Sequence, residues 1–328
     1  MKDASVAVIG VGGCGCNNVR LLAQAGFASQ ANLFALNTDI VSHQQDGIAY
    51  IQIGEQTTRG LGAGALPQVG EAAALESSKQ LEAMISGYDL IVLTAGLGGG
   101  TGSGALPVIA KLIEQANILT CSIVTLPFEF EGKKRMQQAQ TALQKITRLC
   151  NAIQVIQNNL LRSTFGGKTT LLECFKQSNQ ANLTCLSGVV DILTKVSLIN
   201  LDMNDVKAVL AEPSFVHINQ LSFGQQAIGS INQEQLINPL ALHAYIGRSH
   251  AALVQINAGS NFNLQHLQTI GDIIQQHIAD DALLIIGLHQ TEEAKEDIEV
   301  FFILSGAQES EPKFDLNVST LVNDKFCR

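Results

Sequence analysis

Over its first half the chain alternates short apolar runs with amphipathic segments. SVAVIG (5–10), ANLFALN (31–37), IAYIQIG (48–54), YDLIVLTAG (88–96), ILTCSIVTLP (118–127) and AIQVIQN (152–158) are nearly continuous in hydrophobicity and rich in β-branched residues. That is the pattern of parallel strands buried on both faces. The intervening residues 17–26, 67–85, 104–117 and 133–150 have helical spacing. The alternation predicts an α/β fold with a doubly wound, mostly parallel sheet, in which ligands sit beyond the carboxyl ends of the strands. From Lys168 to Lys195, Leu171, Leu172, Phe175, Leu183, Val189, Ile192 and Leu193 recur at roughly helical intervals and predict a central connecting helix. After Asp202 the order is helix, strand, helix, strand, helix and two closing strands, ending in HAALVQINAG, ALLIIGLHQ and DIEVFFILSG. These form a second, smaller α/β domain. The division expected is 1–167 for the first domain, 168–199 for the central helix and the start of the loop after it, 200–306 for the second domain, and 307–328 for a flexible or loosely docked tail.

Composition narrows this picture. A chain of 328 residues exceeds the roughly 250 to 300 residues at which single cores stop growing, so two domains are the expectation. With 46% hydrophobic and 15% charged residues it folds rather than staying disordered. A net charge of -9 argues against nucleic acid as the main partner, because phosphate backbones demand surplus Lys and Arg. The seven cysteines form no paired CxxC spacing and read as reduced thiols. No export leader opens the sequence and no apolar run approaches the ~18 residues of a membrane span. The expectation is therefore a cytoplasmic protein that does not insert into membranes.

The chemistry is carried by glycine. GVGGCGCNN, Gly10 to Asn18, follows an apolar strand and opens a helix, which allows close backbone approach and offers free N–H groups to a phosphate. Gly10, Gly12 and Gly15 also spell the GxGxxG of dinucleotide enzymes, with Asp39 about where a ribose-binding acid belongs, so this loop alone leaves both readings open. A second turn, LTAGLGGGTGSGALP (93–107), and a third, RGLGAGA (59–65), favour a triphosphate, whose oxygens must be met from several directions. FGGKTT (165–170) imitates the end of a P-loop, but a P-loop needs glycine at position 162, which is Arg162; Lys168 reads as a solvated residue at a helix start.

GGGTGSG at Gly98 to Gly104 is the tubulin signature, and the chain resembles the FtsZ/tubulin family. IGVGGCGCNNV, ALNTD, IQIGEQTTRGLGAGA, GGGTGSGALPVIA, PFEFEGKKRM, TTLLECF and LINLDMNDV occur in the family's order, and a weaker likeness runs to about Gly306. The resemblance implies a GTP-binding domain, a central helix and a C-terminal activation domain. It also implies GTP/GDP and Mg2+ as cofactors, and a GTPase that polymerises head to tail with hydrolysis between protomers. It assigns Gly12, Gly13, Cys14, Gly15, Gly62, Ala63, Gly64, Gly98, Gly99, Gly100, Thr101, Gly102 and Ser103 to nucleotide binding, with Asn37 and Asp39 near the phosphates and magnesium. Asn17, Asn158 and Gln180 fall on the nucleoside, Phe175 on the base, and Glu131 and Arg135 on the ribose side. Asn200, Asp202 and Asp205 fall on the loop that one protomer contributes to the next; no protein-only metal cluster is expected. Each assignment has a plainer counterpart. Asp202 and Asp205 equally suit the cap and first turn of a helix, Phe175 suits helix core, Glu131 and Arg135 suit an i,i+4 pair, and Asn37 and Asp39 suit a turn.

The chain also departs from the family. Gln180 stands where an aspartate typically accepts two hydrogen bonds from guanine, a loss of discrimination of roughly 1 to 3 kcal/mol. Cys14 and Cys16 replace glycines, which raises the expectation of a narrowed cradle or of strained, positive φ angles. Lys207 replaces an arginine, and Val196-Ser197 replaces a Pro-Gly. The long linker and membrane-docking peptide of division proteins are not recognisable, with FDLNVSTLV as the candidate substitute; co-assembly with a standard relative would then supply the membrane link. The runner-up reading is a nucleotide-binding filament modulator or structural homologue with weak or no hydrolysis.

Overall fold

The computed structural model describes residues 4–40, 45–166, 169–195, 197–231, 233–241 and 249–306. Lys168, Val196 and the stretch 307–328, including FDLNVSTLV, lie outside the described residues.

In chain order the elements are β1 (Val6–Val11), α1 (Gly12–Gln24), β2 (Asn32–Asn37), β3 (Ile48–Gln52), α2 (Glu55–Thr58), α3 (Pro67–Glu76), α4 (Ser78–Ile85), β4 (Leu90–Gly96), α5 (Gly100–Gln115), β5 (Leu119–Leu126), α6 (Lys133–Ile146), β6 (Ala152–Gln157), α7 (Leu160–Phe165) and α8 (Leu171–Thr194). There follow α9 (Met203–Val209), β7 (Ser214–Gly224), α10 (Gln233–Leu236), β8 (Ser249–Ala258), α11 (Leu264–Gln275), β9 (Leu283–Gln290) and β10 (Asp297–Gly306). The strands lie in the order β3-β2-β1-β4-β5-β6-β7-β10-β8-β9. β1 to β6 are all parallel. The second half is mixed: β10 is antiparallel to β7 and β8, whereas β8 and β9 are parallel. The halves join edge to edge through a short β6–β7 pairing, Ala152 with Ser214 and Ile153 with Phe215.

The apolar runs become strands because each buries both faces. Val6 and Val8 of β1 enter one layer with Val19 and Leu22 of α1 and Leu186, Val189 and Val190 of α8, while Ala7 and Ile9 enter the opposite layer with Leu106 and Ile109 of α5 and Leu143 of α6. Alternation of side chains along a strand makes this division unavoidable. A third cluster, with Val254 of β8, Ile270 of α11 and Phe302 of β10, supports the second half. Because strand order reverses between β1 and β4, α1 and α5 leave the sheet side by side at the carboxyl ends of these two strands.

Three helical segments differ from the sequence pattern. Residues 67–85 divide into α3 and α4 at Ser77, whose hydroxyl accepts the Gly54 N–H at 2.9 Å. α1 and α5 begin at Gly12 and Gly100, well before the apolar periodicity starts, so the glycine segments are largely first turns of helix rather than loops.

α8 is the axis of the molecule. Thr170 caps its start by accepting the Glu173 N–H, and near its end Thr194 Oγ1 donates to Gln30 Oε1 at 2.9 Å, just before β2 begins. The helix thus runs from the carboxyl ends of the parallel strands to their amino ends. Midway, Gly188 lets β10 approach: a Cβ there would lie 1.9 Å from the Phe301 ring. Gly188→Ala is expected to destabilise the protein by about 1 to 3 kcal/mol, the usual cost of overpacking. A lowered denaturant midpoint with unchanged slope is the readout; an unchanged midpoint would show that the α8–β10 contact is looser than described.

Candidate functional site

The carboxyl ends of β1, β2 and β4 hold a cradle of backbone. Gly12 takes φ +73° and turns the chain from β1 straight into α1, and Gly98, at φ +99°, does the same before α5. Neither α1 nor α5 has a side-chain N-cap, so their first N–H groups have no side chain to satisfy them. The two helix starts touch: a Cβ on Gly12 would be 3.1 Å from the Gly102 nitrogen. Two adjacent, uncapped helix N-termini are an anion site, since free donors and the positive ends of the helix dipoles converge there.

The glycines of the cradle divide into two kinds. Gly13, Gly64 and Gly99 face open space. Gly15, Gly100, Gly102 and Gly104 instead hold backbone against backbone: added Cβ atoms would meet Thr94 O at 2.3 Å, Leu66 N at 2.9 Å, Gly96 O at 2.4 Å and Pro67 O at 2.0 Å respectively. The first group is available to a ligand, and the second places the first. Ser103 is also spent internally, its Oγ accepting the Gly98 N–H at 2.7 Å.

Thr38 and Thr58, not singled out in the sequence, join Thr101 in stitching the loops together. Thr38 and Thr101 share a hydroxyl hydrogen bond of 2.7 Å, and Thr58 Oγ1 donates to Thr38 O at 2.7 Å. Asp39 bridges Leu61, and Gly62 lies against it, so Asn37, Asp39 and Gly62 to Gly64 gather at one rim. Arg59 and Ala65, at φ +53° and +59°, are strained ends of this third turn, which Gln138 holds to α6 through Ala65 O at 3.4 Å. The only signal for Thr38 and Thr58 was their position inside ALNTD and QTTRG.

On the α8 side, Asn158 is buried and accepts the Ser178 hydroxyl at 2.7 Å. Phe175 is 46% exposed, and its ring meets Phe128 edge-on at 5.6 Å; Phe128 in turn stacks on Phe130, which is 69% exposed. An aromatic shelf thus replaces the single ring read from sequence. Glu131 pairs with Arg135, as the plainer reading had it, and Glu131 also accepts the Phe128 N–H. Asn17 is half-buried in α1. Gln180 is exposed, donates weakly to Thr184 at 3.5 Å, and lines a groove with Ala25, Phe27, Leu183, Ser187 and Gln220.

The two cysteines behave differently from expectation. Positive φ in this segment is confined to Gly12, so Cys14 and Cys16 are ordinary helical residues without backbone strain. Cys16 is buried and hydrogen-bonds Leu36 O at 3.5 Å, away from the cradle. Cys14 is solvent-exposed, and desolvation by the surrounding protein pushes its thiol up to about 11, with the Thr125 side chain opposing this and the Glu131 charge adding to it.

Asn200, Asp202 and Asp205 are nowhere near the cradle. They follow α8, and 24 residues at 1.5 Å each separate the helix ends by about 36 Å. There Asp202 caps α9, accepting from Asn204 N at 2.7 Å and Asp205 N at 3.0 Å, while Asp205 accepts the Asp202 N–H at 2.9 Å. Asn200 accepts the Ser197 N–H at 2.6 Å. Among the described residues no group of His, Cys, Asp and Glu is placed to hold a metal, and no helix is long and apolar enough to cross a membrane.

The family model for the Tubulin/FtsZ GTPase domain matches residues 5–166, and that for the FtsZ C-terminal domain matches residues 223–308. The chain belongs to the FtsZ/tubulin family. It is 32% identical over 307 residues to the cell division protein FtsZ of Buchnera aphidicola subsp. Baizongia pistaciae, covering 93% of this chain and 80% of that one. With FtsZ 1 of Pyrococcus abyssi it is 34% identical over 311 residues, covering 92% and 81%. An FtsZ dimer from M. jannaschii superposes with TM-score 0.83 at 30% identity, covering 94% of this chain and 89% of that one. CetZ2 of Haloferax volcanii, solved as a GTPgS-bound protofilament, shares the fold at TM-score 0.76 and 18% identity, covering 94% of each chain. The cradle at β1 and β4 lies within the part of the chain that matches the GTPase-domain model.

The two kinds of glycine make separable predictions. Gly104→Ala is expected to lower the unfolding temperature, since the Pro67 carbonyl cannot yield to a Cβ at 2.0 Å. Gly13→Ala is expected to leave it unchanged or raise it, because alanine is favoured over glycine inside a helix by about 1 kcal/mol, yet to weaken nucleotide binding. Thermal melts paired with nucleotide titration check both, and equal destabilisation by the two would dissolve the distinction.

Proposed function

We propose that the chain is a GTPase that assembles head to tail, the cradle of one protomer being completed by Asn200, Asp202 and Asp205 of the next. The observation that carries this is the length of α8. If those acids act on a nucleotide in the cradle, a helix about 36 Å long that ends beside the amino ends of the parallel strands, opposite the cradle, leaves only another molecule to supply them. The solved relatives described as a dimer and as a protofilament support self-association in the family.

Uncapped N–H groups of α1 and α5 would receive phosphate oxygens, and Phe175 with its aromatic neighbours would flank the base. Magnesium fits the donor set as an ion carried mainly by phosphate oxygens, with Asp39 as the carboxylate at the rim, because Mg2+ commonly takes only one or two protein carboxylates. It would neutralise charge spreading over the γ-phosphoryl group. The acids' work is to orient and partly deprotonate the attacking water, with Asn200 helping to place it. Each carboxylate keeps one oxygen outside its capping bond, so capping and catalysis are compatible. Gln180 offers one acceptor where two are needed to read guanine fully, so preference for GTP over ATP is reduced. No membrane or nucleic-acid contact enters this function, and a standard FtsZ relative is the partner through which such filaments would reach a membrane.

The second reading is a filament modulator with slow or no turnover. Its support is the reciprocal capping of Asp202 and Asp205 and the thiol inside the cradle.

Phosphate release per molecule is expected to rise with protein concentration, and to fall when Mg2+ is chelated. Asp205→Asn and Asp202→Asn, which retain side chains able to cap, are expected to reduce turnover at least a hundredfold while assembly with GTP persists. Mixing Asp205→Asn protein with a variant unable to bind nucleotide should restore turnover, since one interface then holds both an intact cradle and intact acids. A concentration-independent rate, or mixtures as inactive as their components, would refute the shared site.

A further inference from the structure

The end of α3 grips the short helix that leads into the third glycine turn. We propose that Glu76 is a positioning residue for the nucleotide site: its carboxylate clasps α2 and so keeps residues 59–65 in the left-handed backbone that presents Gly64 to a ligand. The inference rests on the nucleotide-binding reading above.

Glu76 is the last residue of α3 and is exposed. Its Oε1 accepts the Gln56 N–H at 2.9 Å, and its Oε2 accepts both the Thr57 N–H at 2.9 Å and the Thr57 hydroxyl at 2.7 Å. The neighbouring Ser77 hydroxyl accepts the Gly54 N–H at 2.9 Å. From beyond the third turn, these two residues thus satisfy donors that the start of a helix leaves free. α2 has no cap of its own, since Gly54 precedes it at φ +68° and offers no side chain. With four residues it is also too short to sustain itself, because a single helical turn fixes many dihedrals for little hydrogen bonding. The Thr57 hydroxyl and the Gln56 N–H draw the Glu76 carboxyl below the usual carboxylate range, against a smaller effect of desolvation. It is therefore ionised at neutral pH, and its bonds to α2 are charge-assisted.

What α2 holds in turn is strained. Arg59 ends the helix at φ +53°, and Gly60, Gly62, Gly64 and Ala65 also take positive φ. A residue with a β-carbon, as at Arg59 and Ala65, persists there only where its surroundings over-determine it. α2 supplies that surrounding: the Arg59 N–H donates to Glu55 O and the Leu61 N–H to Thr58 O, both at 3.0 Å. Thr58 ties the same helix to Thr38, whose hydroxyl meets Thr101 in the first turn of α5. On the other side of the clasp α3 is itself locked onto α5, for a Cβ on Gly70 would lie 2.3 Å from Gly100 O and one on Gly104 would lie 2.0 Å from Pro67 O. Glu76 therefore stands on the frame of the second glycine turn and fixes the third turn relative to it. Without the carboxylate α2 loses its start, Arg59 and Ala65 relax to negative φ, and Gly64 leaves the rim.

Two readouts test this. Titration with a fluorescent GTP analogue, at protein concentrations too low for assembly, gives Kd, and the rate of trypsin cleavage after the exposed Arg59 reports how often the turn opens. Glu76→Ala is expected to raise Kd about 3- to 10-fold, as for a turn closed only about a third to a tenth of the time, and to speed cleavage at Arg59 at least as much. In the wild type, saturating analogue should slow that cleavage. Thr57→Val should do less than Glu76→Ala, and adding it to Glu76→Ala should raise Kd no further, because no carboxylate is left for the hydroxyl to bond. Glu71→Gln, which removes a different α3 carboxylate, one paired with Lys145, should stay within about 2-fold of wild type on both readouts. Glu76→Gln, of equal size, replaces Glu76→Ala if that variant melts at working temperature. Unchanged Kd in a folded Glu76 variant, a raised Kd with unchanged cleavage at Arg59, or losses that multiply in the double variant would overturn the clasp. A wild-type protein that binds no GTP analogue would instead overturn the nucleotide reading, while the cleavage comparison needs no nucleotide, so the two failures are distinguishable.

Discussion

The close approach of α1 and α5 to the strands that precede them is the constraint on which the rest of the molecule depends. Gly10 and Gly15 bring helix backbone onto strand backbone, with a Cβ on Gly10 only 2.2 Å from Gly15 O, and Gly102 does the same against Gly96. Any side chain at these positions would push a helix off the sheet. Because both helices are held this tightly, their free N–H groups converge on one spot beyond β1 and β4, with little freedom left to lose when an anion arrives. The neighbouring loops add to this frame through Thr38, Thr58 and Thr101, hydroxyl to hydroxyl and hydroxyl to carbonyl.

α8 translates that local frame into molecular architecture. Its buried face packs under the parallel sheet with Leu186, Val189 and Val190, and Gly188 admits Phe301 from the second half. A single helix therefore carries Phe175 near one end and leads to Asn200, Asp202 and Asp205 beyond the other. The proposed GTPase rests on the length of this helix.

Departures from the sequence reading have local physical causes. Helix starts were placed late because glycine runs carry no apolar period, although backbone donors and packing extend α1 and α5 into them. Cys14, expected to carry backbone strain as a loop residue, is unstrained because it stands in a helical turn. Asp202 and Asp205 illustrate the opposite case. Their capping role was legible from Asp-x-x-Asp spacing, and the structure bears it out without removing the second oxygen of either carboxylate.

By itself the sequence determined the strand–helix alternation, the three glycine turns, the FtsZ/tubulin motifs and the position of the acids after a long helix. These are local facts, written in hydrophobic period, in glycine spacing and in short-range order along the chain. Only the tertiary structure decided which glycines face a ligand and which hold backbones together, because that depends on neighbours far apart in sequence, such as Gly104 beside Pro67 and Gly12 beside Gly102. It also decided that Phe128 and Phe130 join Phe175, and that Thr125 bonds Asn182 across residues that no local pattern connects. Packing assembles such contacts from distant segments, and a one-dimensional pattern does not record distance in space.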